Sequence, residues 1–293
     1  LKLSELHKHC LICGGESLDA LSGYEEHHLC QCGSCGFVFS RAIPEKSLLQ
    51  EFYAEDYDRT SYLSPITVKR YEDLLDSFEP LRKTNKLLDV GCGYGFFLEI
   101  SKKKGWEVYG TELSTEAAEQ LRAKGINMFV GEFQNYECDP ETFDVIVSIE
   151  VIEHINNPIA YVEKAHCLLR KGGKFYLSTP NFNSYLRKRL GAQYDVIDYP
   201  NHLCYYTPKT LTKLFTEHGF NKERLETTGI SITRLKTSKG KSNQQYVSET
   251  SDDEMLRYRI EKNAFLKFGK WISNSVLNLL KIGDSMKATF VKE

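Results

Sequence analysis

The 293-residue sequence has no uninterrupted apolar run near the ~18 residues that a membrane-spanning helix needs. It has no excess of one charge either: 38 Lys plus Arg stand against 40 Asp plus Glu, a net charge of −2. A nucleic-acid binder ordinarily shows a basic excess or stripe. The short clusters Lys102-Lys103-Lys104 and Lys236 to Lys241 read instead as solvated loop and helix ends. The first ten residues carry charge and two histidines and lack the apolar centre of a signal peptide. These absences predict a soluble, cytoplasmic protein with no transmembrane segment. In a reducing compartment, nine cysteines point to metal ligation or free thiols rather than disulfides. A content of 41% hydrophobic and 27% charged residues excludes a mostly disordered chain and is enough for a full-sized core.

Five zones follow one another. Residues 1–42 are rich in Cys and Gly and read as a small ribbon, and 43–85 as a polar, helical linker or lid. Residues 86–236 alternate short apolar runs with helix-like stretches. Residues 237–283 begin as a polar, mobile loop up to Glu254 and continue as a helical insertion, and 284–293 read as a last strand. In the third zone, strands are predicted at 86–90, 107–111, 126–130, 143–149 and 173–178. Helices are predicted at 96–104, at 114–124 with Ser114 as N-cap, at 158–169, and at 207–218 closed by Gly219. Leu225 to Leu235 reads as a sixth strand and Ala288 to Val291 as a seventh. Buried strands alternating with helices imply an α/β fold, a doubly wound, mostly parallel sheet.

Cys10-x2-Cys13 and Cys32-x2-Cys35 are 18 residues apart, which fits the four-cysteine zinc spacing. Each pair adjoins a glycine turn that lets two thiolates face one ion. Four thiolates complete the tetrahedron that Zn²⁺ takes, so the site is expected to be structural. Cys30, His27 and His28 are competing ligands at nearby positions.

Leu87-Leu88-Asp89-Val90-Gly91-Cys92-Gly93-Tyr94-Gly95-Phe96 runs from a buried strand through three alternate glycines into a helix. That is where a parallel sheet admits a ligand close to its backbone. Glu112, 21 residues after Gly91, ends the next strand, where a carboxylate accepts ribose hydroxyls. The sixth-position glycine of the dinucleotide fingerprint is replaced by Phe96, and no Lys-Ser/Thr of a phosphate-gripping loop is present. Asp89 would repel a phosphate and suits an amino group or sulfonium, which favours S-adenosylmethionine over NAD or ATP.

Asp89-Val90-Gly91-Cys92-Gly93-Tyr94-Gly95 resembles the first motif of class I S-adenosylmethionine-dependent methyltransferases. Phe143-Asp144-Val145-Ile146 with Glu150-Val151-Ile152-Glu153-His154 resembles their fourth-strand motif, and Lys171-Gly172-Gly173-Lys174-Phe175 the turn into their fifth strand. The resemblance spans residues 86 to 225. It implies a seven-stranded, Rossmann-like sheet with an antiparallel last strand. It implies cofactor contacts from Gly91, Gly93 and Gly95, from Asp89 to the methionine amino group, and from Glu112 to the ribose. Leu113, Glu132 and Phe133 are expected beside the adenine, and Glu150 and Val151 beside the methionine. The ribbon, then Phe52-Tyr53-Ala54-Glu55-Asp56-Tyr57, then this core is similar to bacterial methyltransferases acting on nucleotide-linked sugars, surface glycans or small metabolites.

Transfer to oxygen needs a proton acceptor, and His154 and His202 are the candidates, with Glu153 as a further base or orienter. Tyr53, Tyr57 and Tyr71 are candidates for a lid over the cofactor or for packing between ribbon and core. The stripe Phe265 to Leu280 is a candidate cover for the acceptor pocket or homo-oligomer contact. The leading expectation is methyl transfer, favoured to oxygen, to a small metabolite or sugar-derived acceptor. An RNA methyltransferase gripping RNA with the ribbon, and a noncatalytic adapter built on a cofactor fold, are the alternatives.

Overall fold

The computed structural model describes residues 5–45, 63–238 and 252–293. Tyr53, Tyr57 and the Phe52–Tyr57 motif lie outside the described residues, as does most of the polar stretch 237–254.

A seven-stranded sheet has the order β12-β13-β10-β9-β6-β7-β8. These strands are β6 (Lys86–Val90), β7 (Glu107–Glu112), β8 (Asn127–Val130), β9 (Phe143–Ile149), β10 (Leu169–Pro180), β12 (Phe220–Thr228) and β13 (Ser285–Lys292). β6 to β10 pair in parallel, and β13 lies antiparallel between β10 and β12. Strand alternation divides the core in two. Leu87, Val145 and Val147 face α1 (Pro65–Phe78), α2 (Phe96–Lys103) and α3 (Thr115–Ala123) through Leu75, Phe97 and Leu121. Leu88, Val90 and Ile146 face α4 (Pro158–Leu168) and α6 (Pro208–Thr216) through Tyr161, Leu211 and Phe215. The expected doubly wound sheet with an antiparallel last strand is present.

One local expectation changes, and two helical zones gain detail. The sixth strand ends at Thr228, not Leu235. Gly229 takes a positive φ of 78°, and Ser231 then caps α7 (Ile232–Thr237) by accepting from the Arg234 N–H. The insertion is two helices, α8 (Asp252–Lys262) and α9 (Ala264–Leu280), because the Asn263 side chain accepts from Phe265 and Leu266 N–H and restarts the helix. Within 43–85, the described helix is α1, opened by Ser64 accepting from Thr67 N–H with Pro65 in its first turn.

The N-terminal ribbon holds β1 (Glu5–Leu6), β2 (Leu18–Ala20), β3 (Leu29–Cys32), β4 (Val38–Ser40) and β5 (Ala42–Ile43). Its four-stranded sheet has the order β11-β4-β3-β2, and β11 (Cys204–Tyr205) is supplied by the chain after β10. Phe37 stacks on Phe39 and lies 5.1 Å from the Tyr206 ring, so ribbon and core share apolar packing. α9 behaves differently. Of its apolar residues only Leu277 is buried, while Phe265 is 87%, Trp271 64% and Leu279 80% exposed. No helix among the described residues is long and apolar enough to cross a membrane.

Asp144, at the start of β9, is fully buried. Its Oδ2 accepts from the N–H groups of Lys83, Thr84 and Asn85, and its Oδ1 from Arg170. It therefore fixes the turn that launches β6. Removing one member of a buried charge pair leaves the other uncompensated, so Asp144→Ala should lower the unfolding free energy by about 3–5 kcal/mol. Urea denaturation followed by circular dichroism checks this, and an unchanged midpoint would contradict it.

Candidate active site

A cavity of about 640 Å³ opens at the C-terminal ends of β6, β7, β8 and β9. Its size falls in the ordinary range of cofactor pockets. Its position is the switch point, where chain connections leave β6 and its neighbours in opposite directions.

Val90, Gly91 and Gly93 form one wall. Gly93 has a φ of 52°, and a Cβ there would meet nothing within 4 Å, so the turn requires glycine while its face stays open. Gly95 acts otherwise. It also has positive φ, it does not line the cavity, and a Cβ on it would come within 2.3 Å of Leu121 Cδ2. Its small size serves the packing of α2 on α3.

The Glu112 carboxylate sits beside this turn, held by backbone donors. Oε2 accepts from Gly93 N–H at 2.9 Å, and Oε1 from Leu113 N–H at 2.8 Å and Ser114 N–H at 3.2 Å. Leu113, Glu132 and Phe133 line the same end. Leu113 is 47% exposed and Phe133 is buried against Tyr161. Asp89 does not line the cavity. It is buried under the turn, and burial, then the Glu112 charge, pushes its carboxyl well above the usual range. Tyr71 packs edge-on to Phe97, and its hydroxyl is pushed up to about 12 by burial and by the charges of Asp89 and Glu150.

Glu150 and Val151 line the opposite end. Glu150 has a φ of 54°, a left-handed conformation unusual for a side-chain-bearing residue and found at functional turns. Ser178 holds it: Glu150 N–H donates to Ser178 O, and Ser178 Oγ donates to Glu150 Oε1 at 2.7 Å.

His154 and His202 are brought together, with ring centroids 4.8 Å apart. His154 lines the large cavity, whereas His202 lines a crevice of about 10 Å³, room for one water, together with Glu153 and Tyr194. Each imidazole places Nδ1 2.7 Å from a backbone carbonyl, Asn201 O for His154 and Val196 O for His202. A carbonyl only accepts, so Nδ1 carries the proton and Nε2 the lone pair. Burial lowers the pKa of both rings. For His202 burial and then His154 bring it to about 3, so the imidazoles stay neutral. Glu153 is buried, accepts from Thr179 Oγ1 at 2.9 Å, and is pushed well up by burial and by Glu150.

Two further residues lie near this end: Asp195, in the polar stretch upstream of His202, and Arg234, which carried no local motif. Asp195 is raised to about 6 by burial, and the charge of Arg234 on α7 works against that rise. Arg234 is in turn placed among Tyr194, Glu150 and Asp195.

In the ribbon, Cys10 Sγ lies 3.6 Å from Cys35 Sγ and Cys13 Sγ 3.6 Å from Cys32 Sγ, and all four sulfurs are within 4.8 Å of one another. A tetrahedron with Zn–S bonds of about 2.3 Å separates its sulfurs by about 3.8 Å. The two halves repeat one turn: Gly14 N–H donates to Cys10 O and Gly36 N–H to Cys32 O. Burial works to raise the Cys32 thiol, but the N–H groups of Cys35 and Ser34 and the thiols of Cys13 and Cys10 bring it down to about 7. Cys30 points away, toward Phe39 O, and His28 packs on Tyr199, so neither joins the cluster.

A family model described as a methyltransferase domain matches residues 61–225. An Aliivibrio fischeri ubiquinone biosynthesis O-methyltransferase is 27% identical over 210 residues, 59% of this chain and 89% of that protein. A Psychrobacter arcticus protein of the same name is 34% identical over 156 residues, 47% of this chain and 60% of that one. The fold is also that of an Archaeoglobus fulgidus S-adenosylmethionine-dependent methyltransferase structure, at TM-score 0.54 and 17% identity, covering 85% of this chain and all of that one. A Haemonchus contortus phosphoethanolamine N-methyltransferase 2 in complex with S-adenosyl-L-methionine gives TM-score 0.53 at 19% identity, over 87% of this chain and 61% of that one. With the glycine turn, the adjoining Glu112 and the switch-point cavity in place, the chain belongs to the methyltransferase-domain family and is an S-adenosylmethionine-dependent methyltransferase.

Proposed function

We propose that the protein O-methylates a small metabolite or sugar-derived acceptor. The observation that carries this reading is the gathering of Glu150 and His154 at the β9 end of the cavity, opposite the Glu112 end, with His202 and Glu153 in the crevice that adjoins His154. Proton-accepting groups there suit a hydroxyl acceptor. Relatives named as O-methyltransferases support the same choice. S-adenosylmethionine supplies a methyl on a positive sulfonium, already a good leaving group. The chain has to orient the acceptor in line with it and exclude water.

In this reading Glu112 accepts the ribose hydroxyls, and Gly91 and Gly93 let the ligand approach the backbone. Leu113, Glu132 and Phe133 flank the adenine. Glu150 and Val151 face the methionine part, Asp89 acts on its amino group from beneath the turn, and Gly95 keeps α2 close behind the turn. Proton removal from the acceptor falls to the His154–His202–Glu153 cluster. The ribbon is assigned a structural Zn²⁺ on Cys10, Cys13, Cys32 and Cys35, the cytoplasm is the assigned compartment, and the exposed face of α9 is assigned to pairing with a second copy.

Four measurements check these assignments. Glu112→Ala should weaken S-adenosylhomocysteine binding at least about tenfold by calorimetry with the fold intact, and unchanged affinity would refute the ribose role. Asp89 with a raised pKa is protonated in the free protein to higher pH than an ordinary carboxyl, and a cationic amino group favours its ionised form. Binding should then release protons, and affinity should rise with pH above the ordinary carboxylate range and level off once Asp89 is ionised. Calorimetry in weakly acidic buffers of different ionisation enthalpy reads this, and Asp89→Asn should abolish it. Chelation should remove about one Zn²⁺ per chain from the ribbon and lower Tm, with re-addition restoring it; an unchanged Tm would count against a structural ion. Trp271→Glu should shift sedimentation from dimer to monomer, and a wild-type monomer would exclude the α9 assignment.

A further inference from the structure

We propose that Asn156 is the hydrogen-bond donor that recognises an uncharged oxygen of the acceptor, and that His7 of the ribbon is the positioning residue that keeps its carboxamide in that role. The part given to the acceptor rests on the O-methylation reading; the arrangement of the two side chains does not.

His7 and Asn156 are 149 positions apart, yet His7 Nε2 lies 2.8 Å from Asn156 Oδ1. Both sides of this contact are fixed. His7 directly follows β1, and its N–H donates to Arg41 O while Arg41 Nε donates to His7 O at 3.3 Å. Its ring stands edge-on to Phe39, with centroids 5.9 Å apart. Across the contact, the segment 153–157 is anchored along its length. Leu203 N–H donates to Glu153 O, Cys204 Sγ donates to Ile155 O at 3.3 Å, and the Asn157 side chain caps α4 by accepting from Ala160 N–H.

A carboxamide oxygen only accepts, so His7 carries its proton on Nε2. This is the opposite tautomer to that of His154 and His202. Burial lowers the His7 pKa against the pull of the Asn156 bond, so near pH 7 the ring is neutral and has one N–H to give. With Oδ1 occupied, the amide nitrogen is the unspent half of Asn156. The residue lines the large cavity and is half-buried, and its Nδ2 donates to nothing among the described residues. Turning the carboxamide over would spend Nδ2 on the imidazole and leave an oxygen for the ligand. The protonated nitrogen of His7 therefore decides whether the cavity offers a donor or an acceptor at this position.

That choice matters because the neighbouring groups at this end only accept. Glu150 presents a carboxylate, and His154, whose Nδ1 is spent on Asn201 O, presents the lone pair of Nε2. A hydroxyl can give its proton to either, whereas a ligand oxygen that accepts needs Asn156. Charge then selects the kind of oxygen. Glu112, Glu132 and Glu150 line the cavity, and no Lys or Arg does among the described residues. Those carboxylates suit a cationic cofactor, while a phosphate or carboxylate on the acceptor would meet like charge without a counter-ion. The oxygen that fits Asn156 is thus a neutral hydroxyl, ether or carbonyl. A site that hydrogen-bonds a substrate oxygen discriminates against analogues lacking it, because its own polar group is then left unpaired.

The test uses the full-length, zinc-loaded chain with bound S-adenosylhomocysteine, methyl glucopyranoside as the uncharged probe and glucose 6-phosphate as the anionic one. Nitrogen NMR should find His7 protonated on Nε2; protonation on Nδ1 would overturn the positioning role. Methyl glucopyranoside should shift the side-chain NH₂ resonances of Asn156 together with the His154 ring. Asn156→Asp, nearly isosteric but without the donor, should weaken probe binding read at His154 at least about tenfold, with S-adenosylhomocysteine affinity unchanged within about twofold. His7→Leu should weaken it in the same direction, and His7→Gln, which returns an N–H donor, should restore it; a merely structural ribbon residue would show no such rescue. Equal probe affinity in wild type, Asn156→Asp and His7→Leu would overturn the inference, as would tighter binding of glucose 6-phosphate. A probe that shifts His154 and leaves Asn156 unmoved, or shifts neither, would also overturn it, with the O-methylation reading intact. Methyl found on nitrogen after turnover of methyl glucosaminide, with Asn156 still shifted, would instead defeat the O-methylation reading and leave Asn156 as the donor. If His7→Leu fails to fold by circular dichroism, Asn156→Ala carries the comparison, and unchanged probe affinity there would equally refute the assignment.

Discussion

The β9 end of the site depends on the main chain of Leu203. Its N–H donates to Glu153 O at 2.8 Å and its carbonyl accepts from Ser40 N–H at 2.8 Å. One peptide segment thereby ties the loop after β9 to the last ribbon residue of β4. His202 precedes it, and β11 follows it and pairs with β4, so the placement of one imidazole is set by strand pairing in the ribbon. The ribbon thus braces the segment that carries His202, joined to it by backbone hydrogen bonds.

The glycine-turn end of the cavity was legible in the sequence because its residues are local. Asp89 to Gly95 and Glu112 follow single strands, and a buried parallel strand delivers whatever follows it to the same sheet edge. The four thiols were legible for the same reason, since each pair sits within one tight turn. The acceptor half was only partly legible. His154 and His202 could be named as polar groups near strand ends, but they are 48 positions apart, and the T-shaped contact between them arises only when the loop 181–203 folds back under the ribbon. Arg234 had no signal at all. It arrives because Gly229 and Ser231 end a strand that apolar patterning extended to Leu235. Gly95 shows the converse case: a residue found by its motif is held by packing on Leu121.

Burial divides the charges of the site into two kinds. Glu112 sits at the surface edge of the cavity, clasped by three backbone N–H groups. Asp89, Glu153 and His202 are taken out of water, and burial drives each toward its neutral form. A cationic partner at such a site gains from charges that the fold alone disfavours, and the strain of Glu150 in a left-handed conformation is maintained in the same place by Ser178.

The pairing of β11 with β4 joins Cys204 to Phe39, segments separated in the chain by five strands of the large sheet. During synthesis the ribbon emerges before the core, yet the side of β4 away from β3 has no strand beside it until residue 205 has emerged. Loop closure over such a distance is slow, so until then the nascent ribbon carries an open β edge of the kind that invites pairing with other chains. Maturation of this end of the molecule is therefore tied to completion of the catalytic core rather than to the order in which its residues are translated.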